Sequence, residues 1–188
     1  MNSPHNSIPG AAAAPSSLDA LSSLSTLSSL SQADFAARLG DIFEHSPWIP
    51  ERAWQRRPFA SVDALHAAMV AAVDAASRDE QLGLIQAHPE LAGKEAAAGT
   101  LTSASTGEQR GAGLDQCSAE ELARLRRLNA AYRERFGFPF VIAVKGLSRY
   151  QIMDAVEARL NNDAATEFRA CLSEIGKIAR FRLDALFS

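Results

Sequence analysis

The stretch SAEELARLRRLNAAYRERFGFPFVIAVKG, Ser118 to Gly146, decides the fold class. It opens with a capping box: the Ser118 side chain can accept from the amide of Glu121, and Glu121 can reach back to residue 118. Leu122, Leu125, Leu128 and Tyr132 then recur at helical spacing, so the stretch predicts a helix running to Arg135. The next residues, FGFPFVIAVKG, are apolar enough for a strand. No second convincing strand exists elsewhere to pair with them. We therefore read them as an extended segment leading into the next helix, and the chain as all-α.

The flanking sequence agrees. ADFAARLGDIFEH places Phe35, Leu39, Ile42 and Phe43 on one helical face, ended by Ser46-Pro47. WIPERAWQRRPF is broken by prolines and reads as a rigid corner. Ser61 caps a helix with Val62, Leu65, Met69 and Val73 on one side. RDEQLGLIQA, from Arg78, is another helix. Ser103 or Ser105 is placed to cap a helix starting near Gly107. Two more helices are expected, Ser148 to Asn161 and about Asp163 to Leu186, the last with Glu174 paired to Lys177 and Arg180 on its surface. The expectation is about eight helices in one domain over residues 32–188.

Residues 1–31 read differently. The first 17 are mostly Pro, Ser, Ala and Asn with few large apolar groups, a composition that favours disorder. Leucines at 18, 21, 24, 27 and 30 are spaced by three. On a helix each falls about 60° behind the last, so the row spirals instead of forming a stripe. This stretch reads as a low-complexity tail or linker.

The whole chain has 188 residues and a net charge of −3, with no basic stripe, which argues against nucleic acid as a partner. No apolar run is long enough to span a bilayer, and the N-terminus lacks the charged start and apolar stretch of a signal peptide. The expected location is the cytoplasm. Cys117 and Cys171 match no metal or redox spacing and read as small hydrophobes. His45, His66 and His88 form no i, i+4 pair, so no metal site is expected. The serine-nucleophile motif G-x-S-x-G and phosphate-cradling glycine loops are absent.

Four elements can carry chemistry. In LIQAHPELAGK, Leu84 to Lys94, Pro89 disfavours helical geometry at His88, which marks the helix end. A histidine there either caps carbonyls or faces a cleft. LTSASTGEQRGAGLD, Leu101 to Asp115, is rich in hydroxyls and brings Glu108 and Gln109 to a helix start. There Glu108 can orient a histidine and Gln109 can hold a polar edge, or both can be a helix start and nothing more. The unpaired backbone of FGFPFVIAVKG can bond a flat urea-like ligand, or can be a buried connector. EHSPWIPERAWQRRPF is a structural corner or a cleft wall.

Taken in order, EHSPW, RPF, AHPELAGK, LTSASTGEQRGAGLD, LNAAYRERFGFPFVIAVKG and EIGKIARFRL resemble the OHCU decarboxylase family of urate degradation, over about Gln32 to Leu186. OHCU is 2-oxo-4-hydroxy-4-carboxy-5-ureidoimidazoline. The resemblance implies an all-helical, cofactor-free lyase, usually a homodimer, that releases CO2 from OHCU to give (S)-allantoin. It places the catalytic histidine at His88, with Pro89 lining the site; our reading adds Glu108 as the support of His88. Substrate-binding positions fall on Ser105, Thr106, Gly107 and Gln109, and on the backbone of Phe140, Val141, Ile142, Ala143 and Val144. The substrate-holding arginine falls on Arg159. The alternative is a non-catalytic helical interaction domain, with nothing special about His88.

Overall fold

Each long helix starts where a side chain satisfies its free amides. In the computed structural model, which describes residues 17–188 with side chains from residue 23 on, Ser118 and Glu121 form the expected capping box of α8, Ala119–Phe136. Ser61 caps α4, Val62–Asp74. Ser77 and Glu80 form a second capping box on α5, Arg78–Ala87. Ser148 and Gln151 open α9, Arg149–Arg159, and Asp163 opens α10, Ala164–Leu186. The remaining helices are α1, Ser17–Ser29; α2, Gln32–Arg38; α3, Trp48–Ala53; α6, Lys94–Ala98; and α7, Ser103–Gly111. Among the described residues there are ten α-helices, two 3₁₀ turns and no strand. The all-α reading holds, and Phe138 to Val144 is extended without a strand partner.

The long α10 packs on α4 and α5, α8 packs on α9, α3 packs on α4, and α2 packs on α3. Phe35, Leu39, Ile49, Leu65, Met69, Leu84, Ile85, Leu125, Tyr132, Ile152, Val156, Ile175 and Leu183 fill one continuous core. A fully buried side chain of this size contributes about 1.5–3 kcal/mol relative to exposure, so this core is the main support of the fold.

Four local expectations change. The stretch expected as a linker is largely α1, and its Leu24 and Leu27 lie in the core. A spacing of three spirals over many turns, but a single i, i+3 pair still shares one face. The disorder expected for the first 17 residues falls, except at Ser17, outside the described residues. The helix expected through His45 stops at Arg38; turns closed by Leu39 O and Phe43 O carry the chain on, with His45 at φ 47°. Phe35, Leu39, Ile42 and Phe43 remain buried together. The proline-rich corner is helical, as α3 and a 3₁₀ turn at Trp54–Arg56. Pro50 sits in the first turn, where its missing N–H removes no helical bond. Finally, Glu174 pairs with Lys177 but not with Arg180, which bonds Asp63 and Asp184.

Candidate active site

His88 sits where α5 must stop. It has extended geometry, φ −76° and ψ 133°, as the residue before a proline prefers. Its Nδ1 lies 2.9 Å from Leu84 O. A carbonyl only accepts, so Nδ1 carries the hydrogen and donates it. The neutral ring's other nitrogen, Nε2, then presents a lone pair. Nε2 is buried and is the one buried side-chain N or O among the described residues with no hydrogen-bond partner. Burial pushes the imidazole below its ordinary value of 6.5; the Leu84 carbonyl and the charge of Glu44 oppose the shift without cancelling it. At neutral pH His88 is therefore an uncharged base with its lone pair aimed into a cavity.

That cavity is small, about 30 Å³, little more than a water needs. Pro89 and Leu91 lie on the His88 side. Ser105, Glu108 and Gln109 enter from α7, Ile178 and Arg182 from α10, and Phe140, Val141, Ile142 and Val144 from the extended segment. A larger recess between α4 and α10, about 580 Å³, is mainly apolar, and the Nε2 of its His66 bonds Gly176 O. Chemistry, not size, selects the His88 cavity.

Helix α7 brings its residues there with a corrected register. Thr102, not Ser103 or Ser105, is the cap, and the helix begins at Ser103. Gly107, Glu108 and Gln109 are thus inside the helix, and their amides are not free to bind an anion. Ser105 faces inward and is buried. Gln109 also ties the turn after Pro89, accepting from Ala92 N at 2.9 Å. Thr106 points elsewhere, bonding Thr102 O and lining a recess toward α8. Gly107 and Ala143 line a neighbouring groove of about 410 Å³, not the cavity.

The arginine in the cavity is Arg182, not Arg159. All five guanidinium donors of Arg182 are engaged. Nε donates to Glu108 Oε1 at 2.7 Å, and Nη2 to Glu108 Oε2 at 2.9 Å and Ser105 Oγ at 3.3 Å. Nη1 donates to Glu44 Oε2 at 2.9 Å and Asp41 O at 3.0 Å. Burial alone would weaken the cation, but its two carboxylate partners raise its pKa overall. Glu108 therefore touches Arg182 in this state, and reaches His88 through its charge.

Arg159 works behind the wall. Its Nη1 donates to Val141 O at 2.8 Å, its guanidinium lies over the Phe140 ring at 4.4 Å, and its other nitrogens bond the fully buried Glu167. Tyr132 and Asn162 also donate to Glu167. The sequence reading missed Arg182 and Glu44. EIGKIARFRL and EHSPW contain both, but a helical continuation through 44 gave no reason to turn a glutamate inward.

Comparison with known proteins came out consistently. The model of the family "OHCU decarboxylase" matches residues 28–184. A "2-oxo-4-hydroxy-4-carboxy-5-ureidoimidazoline decarboxylase" of Haloferax volcanii is 47% identical over 154 residues, covering 82% of this chain and 89% of that protein. A "uric acid degradation bifunctional protein" of Bacillus subtilis is 47% identical over 145 residues, 77% of this chain and 28% of that longer one. Among solved structures, "(S)-allantoin synthase" superposes with a TM-score of 0.69 at 30% identity. That match covers 86% of this chain, which spans about half, 53%, of the synthase chain.

Proposed function

Since this chain belongs to the OHCU decarboxylase family, we propose that it releases CO2 from OHCU to give (S)-allantoin in urate degradation, with His88 as general base and then general acid. The observation that carries the assignment of His88 is its buried, unpartnered Nε2 beside Arg182 in one cavity.

The chemistry fits what these residues can supply. The carboxylate of OHCU leaves from a carbon that also bears a hydroxyl and adjoins a ring C=N bond. As the C–C bond breaks, its electron pair forms a C=C bond and the C=N electrons move to the ring nitrogen, which takes a proton from water. The resulting enol loses its hydroxyl proton to His88 Nε2 and becomes a carbonyl. His88 returns a proton to the ureido-bearing carbon on one face, which sets the S configuration. Arg182 is suited to hold the carboxylate, as a guanidinium does through paired N–H bonds. The amides of Ile142 and Val144, which no backbone acceptor among the described residues takes up, are suited to the ureido and ring oxygens. What the protein adds is orientation and charge placement.

The test uses OHCU freshly formed from urate and follows the decay by circular dichroism. The expected result is optically active allantoin formed well above the spontaneous rate. Racemic product at the spontaneous rate would overturn the reading in favour of a non-catalytic helical domain. We further take the protein to be a cytoplasmic homodimer. The resemblance supports the dimer and sedimentation checks it. Among the described residues no helix is long and apolar enough to cross a membrane.

A further inference from the structure

The two carboxylates on Arg182 are not equivalent. Glu44 is 3% exposed, accepts from the hydroxyls of Thr102 at 2.8 Å and Ser105 at 3.2 Å, and does not line the His88 cavity. Burial alone would raise the pKa of Glu44, but the charge and hydrogen bond of Arg182 and the Thr102 hydroxyl outweigh it and hold the carboxyl below its ordinary value. The Glu108 side chain is 27% exposed and, among the described residues, has Arg182 as its one hydrogen-bonded partner. It lines both the 30 Å³ cavity and the adjoining 410 Å³ groove, as do Val144, Ile178 and Arg182.

Two facts then require a change on binding. The cavity is too small for an imidazoline carrying carboxyl, hydroxyl, oxo and ureido groups. Arg182 has no donor left for an incoming carboxylate. One of these acceptors must give way, and Glu108, the more exposed of the two carboxylates, is the best placed to do so.

We propose that Glu44 is a positioning residue, the fixed counter-ion that holds Arg182 through Nη1 while a ligand carboxylate displaces Glu108 and joins the cavity to the groove. The proposal rests on the reading of this cavity as a carboxylate-binding active site. Glu108, once released, stands beside His88 and the bound molecule. The charged and titratable groups acting on His88 in this arrangement are Glu44, Arg182 and Glu108.

The experiment measures binding of orotate, a flat cyclic ureide carboxylate, to the full chain by calorimetry, with uracil as the control lacking the carboxylate. Glu44→Gln is expected to weaken orotate binding about tenfold, since the guanidinium loses its anchor, while Glu108→Gln tightens it by about threefold or more because the competitor is gone. These opposite signs separate anchor from gate; two carboxylates that merely stabilise the cluster would move binding the same way. Weakening in both variants, no change in Glu44→Gln, or no orotate binding by the parent at millimolar concentration would each overturn the proposal. If Glu44→Gln does not fold, Glu44→Asp carries the same expectation with a smaller loss. A parent that shows the opposite shifts yet leaves OHCU to decay spontaneously would keep the gate and sink the decarboxylase reading.

Discussion

At residue 88 two constraints meet: a proline that ends a helix and a carbonyl that fixes a tautomer. On the role proposed for His88 the active form is the neutral imidazole, and burial lowers its pKa from 6.5. The rate constant kcat/KM should therefore stay level as pH falls through 6.5 and drop only as it passes the lower value, which a pH–rate profile checks. Stability follows the same sign. Between the folded and unfolded pKa values the unfolded chain binds more protons, so stability is lost as pH falls from 6.5 toward the folded value. His88→Asn should flatten that part of a melting-temperature series. The same variant should lower kcat by about 10²–10⁴-fold, the usual worth of general acid–base catalysis, with KM changed far less. A folded His88→Asn protein turning over at the parent rate would remove His88 from the mechanism.

At the scale of elements, the extended segment from Phe138 to Val144 is held by groups that never enter the cavity. Arg159 bonds its Val141 carbonyl and Glu174 accepts from Ala143 N at 2.9 Å. Arg159→Met leaves Glu167 buried without its cation, a change that costs about 3–5 kcal/mol. Urea unfolding should show this loss, and the surviving enzyme should show a raised KM because the Val141 carbonyl is released. Arg159→Lys should rescue only part, since an ammonium cannot replace the planar fork. Elements defined by local chemistry were legible in the sequence: the Ser118 capping box, the His88-Pro89 boundary, and the unpaired apolar run. Their outcome depends on neighbours within a turn. The start of α7 was misjudged because three hydroxyl residues, Thr102, Ser103 and Ser105, can all cap, and only packing chooses among them. Glu44 was invisible for another reason. Its burial comes from turns after Arg38 that replace the expected helix, and its partner lies 138 residues away in sequence.

For the whole molecule, the consequential finding is that α1 belongs to the packed body. Leu24 is 1% exposed and Leu27 5%. Ser28 Oγ accepts from Phe59 N, and Trp54 Nε1 donates to Leu30 O. Leu24→Ala should therefore cost about 2–5 kcal/mol, the range for a buried leucine whose site cannot collapse. Thermal unfolding would read this as a lower midpoint, whereas a true linker residue would leave it unchanged. The wider architecture was legible because helices dominate and each announces its own start. Which helices meet was not, since His88, Glu108 and Arg182 converge from α5, α7 and α10 only after α10 lies across the others. The fixed tautomer of His88 has one more result at this scale. The atom that prevents the ring from exchanging its two nitrogens belongs to the main chain at Leu84, so side-chain replacement there cannot delete it. On the role proposed for His88, the choice of which nitrogen carries the lone pair is then written into the peptide backbone: substitution at residue 84 leaves it in place, and only unwinding the last turn of α5 would free the ring.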